Sequence, residues 1–153
     1  ITMESGSGTV EIAYLLEDVP QEHPLHFAVE FNFSGMPAGV DNRYYYRGDG
    51  ERLGQLGDRL DLQDTQSVGL VDEWLGIDLK LSMDRPTQIW AFPVETVSQS
   101  EGGFELVHQS VAVLPHWSVQ GDHDRRWSVR MSLNVDTSRA ESQLEQLAES
   151  VML

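Results

Sequence analysis

The fold class follows from an alternating stretch near the start of the chain, Leu25-His26-Phe27-Ala28-Val29-Glu30-Phe31-Asn32-Phe33. Its odd positions are all apolar, whereas three of its four even positions are polar. A two-residue period is typical of a β-strand, because successive side chains point to opposite faces of the sheet. We therefore expect one face of this strand to be buried and the other to be solvated, as in many antiparallel sheets.

The same alternation recurs along most of the chain. It predicts further strands at residues 10–14, 77–83, 88–97, 104–114 and 127–135. Glycine-containing breakers lie between strands, and the spacers are too short for crossover helices, so the strands should pair antiparallel. We expect the inner faces of the sheets to include the following residues: Phe27, Val29, Phe31, Leu79, Leu81, Val129, Met131 and Leu133.

A helical period is found at the C-terminus. Ser138 and Glu141 have the spacing of a capping box, and the apolar residues that follow repeat every three or four positions. We predict a helix near residues 138–151. The predicted fold is thus all-β, an antiparallel β-sandwich over residues 1–137 with a short C-terminal helical extension over residues 138–153.

The amino-acid composition limits the kinds of molecule that this chain is expected to bind. The chain has 10 Lys and Arg against 25 Asp and Glu, a formal charge of −15, which opposes binding to nucleic acid or to an anionic membrane. It has no cysteine, so a thiolate nucleophile or Cys-ligated metal is excluded. No apolar run approaches the roughly 20 residues of a membrane-spanning helix. The first residue is Ile rather than Met, and we expect the chain to be a piece of a longer protein.

Four segments resemble one known family. They are residues 29–34, 43–46 and 72–76 and, above all, residues 92–105, which include Thr96-Val97-Ser98-Gln99-Ser100-Glu101-Gly102-Gly103-Phe104. In order from about residue 9 to Trp117, the sequence resembles the C-terminal domain of glycoside hydrolase family 57 enzymes. That family includes α-amylases and 4-α-glucanotransferases.

The resemblance implies a β-sandwich akin to the galactose-mutarotase-like supersandwich, placed after a catalytic (β/α)7 barrel with a glutamate nucleophile and an aspartate acid/base. No barrel pattern is present, so neither carboxylate transfers to a residue of this chain. We expect a noncatalytic domain, mainly the latter part of the family domain, that packs on the barrel and helps to bind α-glucan without a cofactor. The residues leave the compartment open, and the resemblance favours the cytoplasm.

Sugar recognition combines aromatic rings, which stack on pyranose C–H faces, with polar groups that satisfy hydroxyls. The candidate substrate-binding residues are Trp90, Glu95, Gln99, Glu101 and Trp117. For both tryptophans the competing interpretation is core packing, because aromatic residues are enriched in strands. For Glu101, which precedes two glycines, it is organisation of the local turn.

Two alternative functions stay open. A self-standing carbohydrate-binding module would use the same aromatic residues. A mutarotase-like sugar epimerase would use Glu95 and Glu101 as paired acid and base, completed by His108 or His116. The acidic clusters fit no metal-binding motif, and Asp72 and Glu73 beside Trp74 are typical of a solvated turn.

Overall fold

The computed structural model describes residues 1–100 and 102–151. In these residues ten strands precede one helix. The elements are β1 (Thr2–Met3), β2 (Thr9–Leu16), β3 (Leu25–Ala28), β4 (Phe31–Ser34), β5 (Arg43–Arg47), β6 (Arg52–Gln55), β7 (Leu60–Asp72), β8 (Ile77–Ser100), β9 (Gly103–Val119), β10 (Trp127–Asp136) and α1 (Ser138–Val151).

The strand β8 connects the two layers of the fold. Residues 78–83 of β8 pair with β10, whereas residues 88–100 pair with β9. The first layer has the order β1-β2-β10-β8-β7-β5-β6. In the second layer, β9 pairs with the second half of β8 on one side and with β3 and β4 on the other. All of these pairings are antiparallel. The predicted all-β antiparallel sandwich is confirmed.

The strand β7 follows β8 from one layer into the other. Its register against β8 shifts twice, between Leu62 and Thr65 and between Thr65 and Ser67, and Asp64 has a φ of 49° at the first shift. Such irregularities bend a strand and increase its twist, so the sheet folds over on itself. A single apolar cluster fills the space between the layers, and all eight predicted inner-face residues are buried in it or pack against it.

The opening stretch forms two strands rather than one. Residues 25–28 and 31–34 pair with β9 in the same register, so the alternation of faces is kept across the gap. Val29 lies opposite Pro115, which has no N–H to donate to the ladder. The Val29 N–H still donates to the Pro115 carbonyl over 3.0 Å, and the regular pairing stops there.

The helix α1 lies where the sequence predicts it, but its first turn is capped differently. The backbone N–H of Ser138 donates to Asp136, and the Thr137 hydroxyl donates to the Glu141 carboxylate over 3.1 Å. Hydrogen bonds from the backbone and the side chain of Ser138 lower the pKa of Asp136.

Within residues 1–100 and 102–151, no helix is both long and apolar enough to span a membrane. The division into a domain and a helical extension at residue 137 stays a prediction.

Replacing Leu81 with Ala should lower the free energy of unfolding by about 3 kcal/mol, because the side chain is fully buried between the layers and its loss leaves a cavity. Leu15→Ala is the matched control, since Leu15 is exposed on β2 and its truncation should change stability by less than about 0.5 kcal/mol. Urea denaturation of both variants measures the difference. Equal losses would contradict the placement of the core.

Candidate functional site

The outer surface of the second layer carries a cluster of rings. Trp90 on β8, His116 on β9 and His26 on β3 all lie on the side of the sheet away from the core. The ring centroids of Trp90 and His116 are 3.9 Å apart, and those of His26 and Trp90 are 5.7 Å apart. Trp90 is 39 % exposed, so part of its indole ring is open to solvent. We call this cluster the Trp90 face.

The two histidines of the Trp90 face form a hydrogen-bonded pair. His26 Nε2 lies 3.0 Å from His116 Nδ1, so one ring donates a proton and the other accepts it. His116 is only 3 % exposed, and its Nε2 has no hydrogen-bond partner among the described residues. Burial, followed by the charge of His26, lowers the pKa of His116, while Asp61 acts in the opposite direction.

Polar side chains border the Trp90 face along β7 and β8. Gln88 Nε2 donates to Gln63 Oε1 over 2.7 Å, and Gln63 Nε2 donates to Asp61 Oδ1 over 2.7 Å. Asp61 is the cross-strand neighbour of Trp90. This hydrogen-bonded row fixes amide and carboxylate groups beside the exposed ring, which is the combination that a pyranose with several hydroxyls requires.

Trp117 belongs to the core rather than to the outer surface. It is 5 % exposed, its ring lies 6.0 Å from that of Phe27, and its Nε1 donates to the Thr87 hydroxyl over 3.0 Å. Thr87 in turn donates to the Arg85 carbonyl. Trp117 therefore stabilises the junction of β8 and β9 directly beneath His116, and direct stacking on a ligand would require the core to open.

Glu95 and Gln99 lie on a different part of the chain from Trp90. Beyond residue 94 the strands β8 and β9 continue as a two-stranded extension, residues 95–108, which we call the ribbon. Glu95 and Gln99 are exposed on the ribbon face that continues the core side of the sheet. The same face carries Val97, Leu106 and Phe104, all exposed, and Phe104 most of all at 78 %.

The other candidate residues are Glu101, His108 and His116, and the two histidines do not lie together in the described structure. Glu101 lies outside the described residues, so its predicted role in the turn or in binding stays a prediction. His108 is the cross-strand neighbour of Glu95, and its Nε2 lies 3.0 Å from the Met36 carbonyl. His116 lies on the opposite face of the sheet. Glu95 and His108 are therefore neighbours on one face, and His116 does not join them.

The turn around Trp74 differs from the solvated turn that the sequence suggested. Asp72 is fully buried, and its Oδ2 accepts from Arg43 Nε over 2.7 Å. Its Oδ1 accepts from the backbone N–H groups of Trp74 and Leu75 over 3.0 and 2.9 Å. The buried Asp72 carboxylate thus stabilises the turn through its backbone N–H groups, while the Trp74 side chain remains 70 % exposed.

The sequence pattern did not identify three features of this surface: His26, the contact of His116 with Trp90, and Asp61 at the border of the Trp90 face. His26 and Asp61 are 35 positions apart along the chain, and both lie beside Trp90 because β3, β9, β8 and β7 are consecutive neighbours in the sheet. The alternation at residues 25–33 does place His26 on the polar face. The order of the strands in the sheet, which brings these residues together, could not be predicted from the sequence.

The fold defines an all-β sandwich domain, and comparison with known proteins identifies its family. Residues 1–131 match the family described as "Alpha-amylase/4-alpha-glucanotransferase, C-terminal". The chain belongs to this family, as its resemblance predicts. The match includes β1 to β9 and the beginning of β10, whereas α1 lies beyond it.

Individual relatives agree with the family. The chain is 29 % identical over 118 residues to α-amylase 1 of Dictyoglomus thermophilum, covering 72 % of this chain and 16 % of that protein. It is 26 % identical over 65 residues to a 4-α-glucanotransferase of Thermococcus kodakarensis, covering 42 % of this chain and 9 % of that protein. The chain therefore spans a small fraction of the curated relatives that it matches.

A solved structure shares the fold. The crystal structure of the 4-α-glucanotransferase of Thermococcus litoralis superposes with a TM-score of 0.51 and 17 % identity. The superposition covers 82 % of this chain and 16 % of that one. At this identity the likeness concerns the fold alone.

Lowering the pH below about 6.5 should reduce the free energy of unfolding. The unfolded chain then protonates His116 at its ordinary pKa of 6.5, whereas the folded chain resists protonation until its lower pKa is reached. His116→Gln should flatten this part of the pH profile, measured by denaturation between pH 7 and pH 4. His123→Gln, at a histidine whose side chain is 96 % exposed, is the control. An unaltered slope in His116→Gln would contradict the assignment.

Proposed function

We propose that this chain is a noncatalytic C-terminal domain of an α-glucan-active enzyme of the glycoside hydrolase family 57 type, which packs on the catalytic barrel and contributes to glucan contact. The observation that carries the proposal is the family match over residues 1–131. It is supported by the small share of the matched α-amylase, 16 %, that this chain spans. The catalytic carboxylates then belong to the barrel and not to this domain.

The separation of His116 from Glu95 and His108 supports a noncatalytic role. A carboxylate base and a histidine acid need to face one reacting centre at hydrogen-bonding distance. Here His108 is engaged with the Met36 carbonyl, and His116 is paired with His26 on the other side of the sheet. Within residues 1–100 and 102–151, the carboxylate and both histidines that the epimerase hypothesis needs do not come together in one site.

The ribbon supplies the surface that we assign to the barrel. Val97, Phe104 and Leu106 are exposed together on one face, and contiguous apolar surface of this kind is typical of protein interfaces. The same face carries Glu95 and Gln99, which would lie at the polar rim of such an interface. In this position both side chains could also reach a glucan held between the two domains.

The Trp90 face supplies the surface that we assign to glucan. The exposed part of the Trp90 indole ring offers a flat apolar platform for a pyranose, and His116 packs against the ring at an interplanar angle of 38°. The row Gln88, Gln63 and Asp61 provides both donors and acceptors beside the ring. Trp117 would act indirectly, by holding the junction beneath the platform.

One observation favours a self-standing carbohydrate-binding module as the second candidate function. The Trp90 face is built from β3, β7, β8 and β9 of this chain, so its aromatic and polar groups do not depend on another domain. The two functions differ in the expected affinity. A module that works alone must bind tightly, whereas a domain that shares its ligand with a barrel loses many contacts when isolated.

The isolated chain should bind maltooligosaccharides weakly and should neither hydrolyse nor transfer them. Isothermal titration with maltohexaose measures the affinity, and Trp90→Ala should lower the residual binding at the Trp90 face at least fivefold. Gln66→Ala, at an exposed β7 position, is the control. Submicromolar binding would instead favour the self-standing module, and turnover of maltohexaose would refute the noncatalytic role.

Replacing Phe104 and Leu106 together with Ser should impair the full-length parent enzyme but leave the melting temperature of the isolated chain nearly unchanged. Both side chains are already exposed in this domain, so their loss removes contacts only to the barrel. Val107→Ser, on the opposite face of the ribbon, is the matched control. A parent enzyme with normal activity and normal thermal stability would exclude the ribbon as the docking surface.

A further inference from the structure

A cleft lies between the turn of Trp74 and the helix α1, on a different part of the molecule from the Trp90 face. Its volume is about 610 Å³, which falls in the range of small-ligand sites, roughly 300–1,000 Å³. One wall is formed by the turn and by Asn42, and the other by α1.

The wall formed by the turn presents an exposed aromatic ring on a hydrogen-bonded backbone. Trp74 is 70 % exposed, although its backbone is fixed by the buried Asp72 carboxylate. The Arg43 guanidinium, which pairs with Asp72, also lies 5.8 Å from the centre of the Trp74 ring. An exposed indole on a fixed backbone is preorganised for stacking, because little conformational freedom is lost when a ligand covers it.

The opposite wall is polar where an ordinary packed helix would be apolar. Arg139, Gln143 and Gln146 follow each other at intervals of four and three residues, so they share one face of α1 and line the cleft with Leu147. Each glutamine amide offers donors and an acceptor. An amide can donate a hydrogen bond to a ligand hydroxyl or accept one from it. The wall therefore suits a polyhydroxylated ligand better than an apolar one.

The charges in the cleft are balanced. Arg139 Nη1 lies 3.8 Å from Glu73 Oε1, and Asn42 and the two glutamines are neutral. The protein as a whole carries −15, which disfavours anions. A neutral ligand therefore fits both the local and the overall electrostatics.

The two walls are joined at Gly76. The Ala140 N–H donates to the Gly76 carbonyl over 3.3 Å, and a Cβ at residue 76 would come within 2.5 Å of the Ala140 nitrogen. Gly76 also has a φ of 67°, which favours glycine. The close approach of the turn to the first turn of α1 thus depends on this glycine and sets the width of the cleft.

We propose that this cleft is a second carbohydrate site, in which a pyranose of a neutral oligosaccharide stacks on Trp74 and its hydroxyls bond to Gln143, Gln146 and Asn42. The choice of an α-1,4-glucan as ligand rests on the proposed function of the domain. The site itself goes beyond the family, because the family match ends at residue 131 and the helical wall lies after it. The helix α1 thereby adds one wall of a binding site to a domain whose other elements belong to the family match.

Indole N–H signals in the ¹H–¹⁵N NMR spectrum of the whole chain test this site separately from the Trp90 face. The chain has four tryptophans, and Trp74→Ala and Trp90→Ala identify two of the four signals. With millimolar maltohexaose the Trp74 signal should shift and saturate. Trp90→Ala should leave this titration unchanged, and Gln143→Ala should weaken it at least threefold, whereas the control Gln66→Ala should not. Thermal melts of each variant establish that it is folded.

The outcomes are distinguishable. A shift of the Trp90 signal without a shift of the Trp74 signal would overturn the second site and leave the proposed function intact. If neither signal moves, both glucan surfaces are refuted, while docking through the ribbon is tested independently by the Phe104 and Leu106 variant. If the Trp74 signal moves with protein concentration in the absence of sugar, the cleft is a self-association surface and the proposal fails.

Discussion

The structure depends on one constraint: the strand β8 belongs to both layers, and its register must be correct in each of them. In its first half the pairing with β7 and β10 directs Leu79 and Leu81 inward. In its second half the pairing with β9 directs Ile89 inward and Trp90 outward. A slip by one residue would exchange these faces. The hydrophobic burial that fixes the core therefore also fixes which tryptophan reaches the surface.

Alternation predicted the fold where one face of a strand is uniformly apolar. Most of the strands, the inner-face residues and α1 could be found in this way. The central strand β7 could not, because its two register shifts against β8 break the period and its first half carries the polar residues Asp61, Gln63 and Asp64. The gap between β3 and β4 was also missed. Its cause, Pro115, lies more than 80 positions away along the chain.

The site was harder to predict than the fold, because residue type alone does not distinguish exposure. Trp90 and Trp117 were equivalent candidates, and only strand register separates the exposed ring from the buried one. Glu95 and Gln99 were grouped with Trp90, yet they lie on the ribbon, on the face that continues the core side of the sheet, whereas Trp90 lies on the outer side. Trp74 stands exposed because the carboxylate beside it, which the sequence suggested to be solvated, is buried under the turn.

The interruption at Pro115 has a consequence for how this domain meets other molecules. In the described residues β3 and β4 have β9 on one side and no strand on the other, so they form an open edge of the second layer. A continuous open edge can recruit a strand from another chain. Here the edge is divided into two segments of four residues, with the irregular residues 29 and 30 between them. A foreign strand would find two short, separated ladders instead of one long template, and the sheet is thereby protected against edge-to-edge aggregation.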